Sequence, residues 1–219
     1  MHARKRSYYK TIRGVAIPPE KKRGPHALPS SCDTDLSHYR DYIDIPGMFI
    51  HKGRTYTVVA MEPELMLQGI AVFGVTIPGT IEAISEFAFF HCINMDRAIM
   101  NEGTKMICQY AFSGCPNLHD IVIPNSVLQI ENNAFYFCQN LTTVTLGENL
   151  KLMGANAFDN SPNITKVICR AAEPPTLFNP GNTFHVSIFN RAELLVPSGS
   201  ETKYMNAPGW GLFGNISCI

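Results

Sequence analysis

Ile123-Pro124-Asn125-Ser126-Val127-Leu128-Gln129-Ile130-Glu131-Asn132-Asn133-Ala134-Phe135-Tyr136-Phe137-Cys138-Gln139-Asn140-Leu141 is one unit of a repeat, and the repeat decides the fold. The Ala-Phe pair recurs every 23 residues as Ala88-Phe89, Ala111-Phe112, Ala134-Phe135 and Ala157-Phe158. Four residues before each Ala stands Ile84, Ile107, Ile130 or Met153. Four residues after it stands Cys92, Cys115, Cys138 or Ser161, and two further on Asn94, Asn117, Asn140 or Asn163. So many columns held in phase mark a solenoid, in which each unit is one coil.

The second half of each unit reads apolar-x-x-apolar-x-apolar: Met95/Ala98/Met100, Leu118/Ile121/Ile123, Leu141/Val144/Leu146 and Ile164/Val167/Cys169. This is the leucine-rich-repeat pattern, and a 23-residue period falls within its range. Alternation over Thr143-Val144-Thr145-Leu146 predicts a half-buried strand, stopped by Pro78, Pro124 or Gly147 in three copies. One coil cannot bury its own apolar face, whereas stacked coils can. The expected fold is a repeat solenoid of 23-residue units with a parallel β-sheet on one face, capped at both ends.

Working outward gives the organisation. A degenerate first copy runs through Val58, Met61, Leu65, Met66, Gly69, Val72, Val75 and Ile77, so about five coils extend from Arg54 to Val167. Residues 1–45 read as a basic, disordered or non-native head. Residues 46–76 read as a hairpin cap, turning at Lys52-Gly53, plus the degenerate repeat. Residues 77–169 are the regular array. Residues 170–219 form the expected C-terminal cap: Pro174-Pro175 opens a loop, Glu193–Pro197 adds a strand, and Tyr204, Trp210, Leu212 and Phe213 cover the last coil.

Composition bounds the function. Charged residues are only 16% and apolar residues 45%, which suits a packed array and opposes disorder throughout. Net charge is zero, yet residues 1–30 carry eight Lys or Arg against one acid, Glu20, a net +7. The other residues carry ten basic and seventeen acidic groups, a net −7. No nucleic-acid-binding motif follows the basic head, which is read as a solvated tail with no nucleic-acid partner. It lacks the apolar run of an export signal, and no stretch is long enough to cross a membrane.

Seven cysteines cannot all pair within one chain. The column Cys92, Cys115, Cys138 also holds Gly69 and Ser161, so the position calls for a small side chain. Neither a metal nor a cofactor is expected, since zinc-type spacings are missing. The Asn column is expected to bond backbone at a turn. His91 precedes Cys92, but neighbouring residues on a turn diverge, which opposes a nucleophile–base pair. No catalytic residues are assigned, and the chain is expected not to be an enzyme.

The candidate binding residues lie on the outward side of the strand column. One stripe holds Thr76, Ile99, Val122, Thr145 and Ile168, and beside it run Gly74, Arg97, Asp120, Thr143 and Lys166. Three exposed β-branched apolar residues in line mark an interaction surface. Arg97, Ile99, Asp120, Val122, Thr143, Thr145, Lys166 and Ile168 are the residues expected to bind a ligand.

These residues resemble the BspA-like class of bacterial leucine-rich repeats, whose unit runs Ile-Pro-x-x-Val-x-x-Ile-x-x-x-Ala-Phe-x-x-Cys-x-x-Leu-x-x-Ile. The copy from Ile123 to Leu141 matches it almost position for position, and Leu195-Val196-Pro197-Ser198-Gly199-Ser200 with Tyr204, Trp210 and Phe213 resembles its closing segment. The resemblance covers residues 48–219. It implies a secreted or cell-surface protein that binds host proteins or other cells, in some members extracellular-matrix components. The leading reading is an adhesin-like binding module, which is expected to be a monomer. The alternative is a structural spacer or self-assembly domain without a dedicated ligand.

Overall fold

A computed structural model describes residues 11–12, 15–16, 41–51, 53–61, 63–66 and 72–219. Most of the basic head, together with Gly69, Lys52 and Cys32, lies outside the described residues.

The chain is a β-solenoid of about six turns. One side carries parallel strands Asp41–Asp44, Val72–Ile77 and Arg97–Met100, then Asp120–Val122, Thr143–Leu146, Lys166–Cys169, Glu193–Val196 and Asn215–Cys218. The other side carries a narrow parallel sheet of Ala83–Ile84, Met106–Ile107, Gln129–Ile130, Leu152–Met153 and Thr176–Leu177. The 23-residue period appears directly as register: Asp120 faces Thr143, which faces Lys166, and Met106 faces Gln129, which faces Leu152. At the front, Met48–His51 and Arg54–Thr57 pair antiparallel, with His51 opposite Arg54.

Between the sheets lies one continuous core. The Ala-Phe column stacks its rings face to face at centroid spacings of 5.1, 5.2 and 5.0 Å from Phe89 to Phe158. The interval matches the strand-to-strand distance, so each ring rides on its own coil. Phe184 extends the ladder at 5.5 Å from Phe158 even though the interval has lengthened to 26 residues. The array therefore runs one coil beyond Val167, with Thr183 where earlier coils place Ala.

A feature not read from the sequence explains how each coil turns. Glu64, Phe87, Tyr110, Asn133 and Asn156 all have left-handed backbone, φ between 53° and 60°. A second such column runs through His91, Gly114, Phe137 and Asn160. Left-handed backbone costs an ordinary L-residue about 1–2 kcal/mol, so the stacked hydrogen bonds around it must hold it there. Those bonds are present: the Phe87 and Tyr110 amides donate to Gln109 and Asn132 carbonyls on the next coil. The Asn and Gly residues within the two columns are the sequence signal.

The C-terminal segment closes the core. Trp210 is buried against Phe184 and Phe213 and donates from Nε1 to the Pro175 carbonyl at 2.7 Å. Tyr204, on the short helix Glu201–Asn206, donates to the Ala171 carbonyl at 2.8 Å. Leu212, expected in this lid, instead points outward. It sits in the 3-10 turn Trp210–Leu212, whose inward position goes to Trp210.

Candidate functional site

The first sheet ladder is interrupted once. Asp96 donates to the Phe73 carbonyl, Thr142 to His119 and Thr165 to Thr142, each bonding the coil before. His119 makes no such bond to Asp96. Arg97–Met100 and Asp120–Val122 are neighbours without ladder hydrogen bonds, and they end two separate sheets. On one side of this seam the core is slightly open: Ala98 and Met100 are 7% and 8% exposed, against 1% and 0% for Ile121 and Ile123 across it. Ala98 is the smallest residue of its column, which otherwise holds Val75, Ile121, Val144, Val167 and Leu194. An under-filled rung leaves the strands less drawn together.

The seam sorts the expected binding stripe. Ile99 and Val122, on its two sides, are 43% and 55% exposed. Thr145, with hydrogen-bonded strands on both flanks, is only 6% exposed although its register is the same. Ile168 is half-buried, and beyond it the stripe continues through Leu195, which the sequence reading stopped short of. The companion stripe reads Gly74, Arg97, Asp120, Thr143, Lys166 and Glu193. Lys166 and Glu193 approach to 3.8 Å at the surface, a pair worth less than about 1 kcal/mol. The Thr142 hydroxyl lies 3.1 Å from Asp120 Oδ1.

Tyr42 closes the stripe at the front. Its ring lies over Gly74, where an added Cβ would come within 2.4 Å of Tyr42 Cδ1, so only glycine permits the overlap. Its hydroxyl donates to Asp96 at 3.0 Å, and the Arg97 guanidinium stands 5.5 Å from the ring centroid. The hydrogen bond to Asp96 raises the tyrosine's pKa, so the hydroxyl stays a donor.

The cysteine column is interior. Cys92, Cys115 and Cys138 donate from Sγ to the carbonyls of Met66, Phe89 and Phe112 at 3.2–3.4 Å, and Ser161 Oγ donates to Phe135 at 3.3 Å. Size explains only part of this column, because the position also supplies a donor to a buried carbonyl of the preceding coil. Burial pushes the Cys115 thiol well above its ordinary range and Cys138 up to about 12. The Cys115 and Cys138 thiols are thereby held as protonated donors. His91 points away from them: it is exposed, with its ring stacked on Phe90 at 4.2 Å.

The asparagine column bonds backbone at Asn117 and Asn163, whereas Asn140 Nδ2 donates to Asn117 Oδ1 at 3.3 Å. Asn117 Nδ2 donates to the Ile93 carbonyl at 2.8 Å and Asn163 Nδ2 to Gln139 at 2.9 Å, each on the preceding coil. Among the described residues no group of three His, Cys, Asp or Glu could hold a metal ion, and no helix is long and apolar enough to cross a membrane.

Residues 69–173 match the sequence profile of the BspA type leucine rich repeat region, in six copies. No functionally curated protein matches the chain. Among solved structures, a leucine-rich repeat protein of T. pallidum is 25% identical over 58% of this chain and 57% of its own, with a TM-score of 0.54. A leucine-rich cell surface protein of Faecalibacterium prausnitzii A2-165 is 23% identical over 71% of this chain and 47% of its own, TM-score 0.54. The pneumococcal vaccine antigen PcpA is 24% identical over 73% of this chain and 41% of its own, TM-score 0.57. The chain thus spans about half the length of these proteins, and the last two likenesses concern the fold alone. Profile, period and stacking agree: the repeat array of this chain belongs to the BspA-type leucine-rich repeats.

Proposed function

We propose that this array is a non-enzymatic protein-binding module of the extracellular or cell-surface kind, adhesin-like, acting as a monomer. The observation that carries the reading is the outward strand face. Ile99 and Val122 stand exposed on either side of the seam, Ile168 and Leu195 continue the apolar line, and charges of both signs run alongside. An apolar centre with a charged border is the anatomy of a protein interface. The partner suited to it is a protein presenting an apolar ridge flanked by an acidic group opposite Arg97 and a basic one opposite Asp120. The location is carried over from the protein of like fold described as a leucine-rich cell surface protein. A non-catalytic reading fits the Cys115 and Cys138 thiols, which burial keeps from ionising.

The test is surface plasmon resonance against a panel of purified extracellular-matrix proteins, comparing the unaltered chain with an Ile99→Lys/Val122→Lys/Ile168→Lys variant. At least one matrix protein is expected to bind, and the variant to lose that binding at least 100-fold while melting as a folded protein. Equal binding by both would remove the strand face from the reading. Sedimentation velocity across a concentration range is expected to give a monomer, whereas a concentration-dependent dimer would favour self-assembly through the same face.

A further inference from the structure

The opposite side of the solenoid, where the narrow second sheet runs, carries a groove that the strand-face reading does not use. Following that sheet by one residue gives a row of side chains, one per coil: Ser85, Cys108, Glu131, Gly154 and Phe178. Their order is fixed by the ladder bonds from the amides of Cys108, Glu131, Gly154 and Phe178 to the carbonyls of Ile84, Ile107, Ile130 and Met153. Phe178 ends the row 73% exposed, against 42% for Phe137. Its neighbour Gly154 has no side chain, and a Cβ there would lie 2.4 Å from the Asn132 backbone nitrogen. Glycine is required there by the close approach of the preceding coil, and Glu131, Gly154 and Phe178 together line one groove.

The groove has a volume of about 340 Å³, and Glu86, Gln109, Gln129, Asn132 and Leu152 also line it. The volume lies at the lower end of the roughly 300–1,000 Å³ of small-molecule clefts. Glu131 is fixed, since its Oε2 accepts the Gln109 amide at 2.9 Å. Asn132 is fixed too, because its Oδ1 accepts the Ala155 amide at 2.8 Å, which turns its Nδ2 toward other acceptors. The Gln109 and Gln129 side chains are half-buried and make no hydrogen bond to any described residue. Half-buried polar groups of this kind call for a partner.

We propose that this groove is a binding site for an uncharged saccharide, one or two rings of a glycan. The lining selects that chemistry. Carboxamides both donate and accept, and so does every sugar hydroxyl, whereas an amine or guanidinium would need acceptors alone. The Phe178 face and Leu152 offer an apolar platform for the C–H face of a pyranose ring. Glu86 and Glu131, with no Lys or Arg in the lining, repel phosphate and sulfate, which excludes nucleic acids and anionic glycans. The site is independent of the strand face, because it lies on the other sheet.

A glycan array probed with the full chain, followed by titration calorimetry with the tightest neutral glycan, tests this. Capture of a neutral glycan is expected, with affinity lowered at least tenfold by Phe178→Ala and by Gln129→Ala and unchanged by the Ile99→Lys/Val122→Lys/Ile168→Lys variant. Both single changes are at the surface, and matching thermal melts establish that each protein is folded; if one is not, the other decides. No neutral glycan above background, affinity indifferent to both changes, or capture of polylysine alone would overturn the proposal.

Discussion

The inside and the outside of this solenoid obey different rules. Inside, each column keeps one role and its repeats make the same contact: ring on ring for Phe89 to Phe158, donor to carbonyl for Cys92 to Ser161. On the outward strand face, successive rungs hold Arg97, Asp120, Thr143 and Lys166, with Ile99 and Val122 exposed beside a buried Thr145. Interior positions are determined by identical neighbours 4.8 Å or so above and below. Outward positions are not held to one role by such stacking, and they vary from coil to coil.

The contrast is broken most strongly from within. Phe135 has stacked rings on both sides and no exposure, so Phe135→Ala is expected to cost about 3–5 kcal/mol in chemical denaturation. Nearest-neighbour stacking means the loss should reach the flanking coils, seen as faster amide exchange at Phe112 and Phe158.

The cysteine column gives a smaller effect with a pH signature. Cys138→Ala removes a buried donor and is expected to cost about 1–2 kcal/mol, whereas Cys138→Ser keeps the donor, as Ser161 does naturally, and should cost less. Burial raises the folded-state pKa of Cys138 to about 12 and of Cys169 to about 11. A raised thiol pKa contributes stability that is complete below the unfolded value near 8.5 and is lost as pH climbs through the folded one. The thermal midpoint is therefore expected to fall between about pH 8.5 and 12, and to fall less in Cys138→Ser.

The smallest change sharpens the outer face. Ala98→Val should fill the thin rung under the seam, raise stability by up to about 1 kcal/mol and slow amide exchange at Ile121 and Val122. Unchanged exchange there would separate the seam from the size of residue 98.

Much of the array was legible because a repeat states each fact several times. Ala-Phe, the cysteine column and the strand alternation each recur in four copies, so their period and inward direction follow from spacing alone. The sixth coil was harder to read, since three extra residues before Phe184 and Thr183 in place of Ala hide its phase. The left-handed columns were obscured by Phe87, Tyr110 and Phe137, residues that rarely adopt that backbone.

By itself, the sequence determined which side chains face inward, because burial of apolar surface at a fixed period admits one register. Only the tertiary structure decided which outward residues are exposed, where the ladder opens at Ala98, and that Glu131, Gly154 and Phe178 come to line one groove. Those outcomes depend on how closely one coil settles on the next. That spacing is set by pairs of residues more than twenty positions apart and by no local pattern.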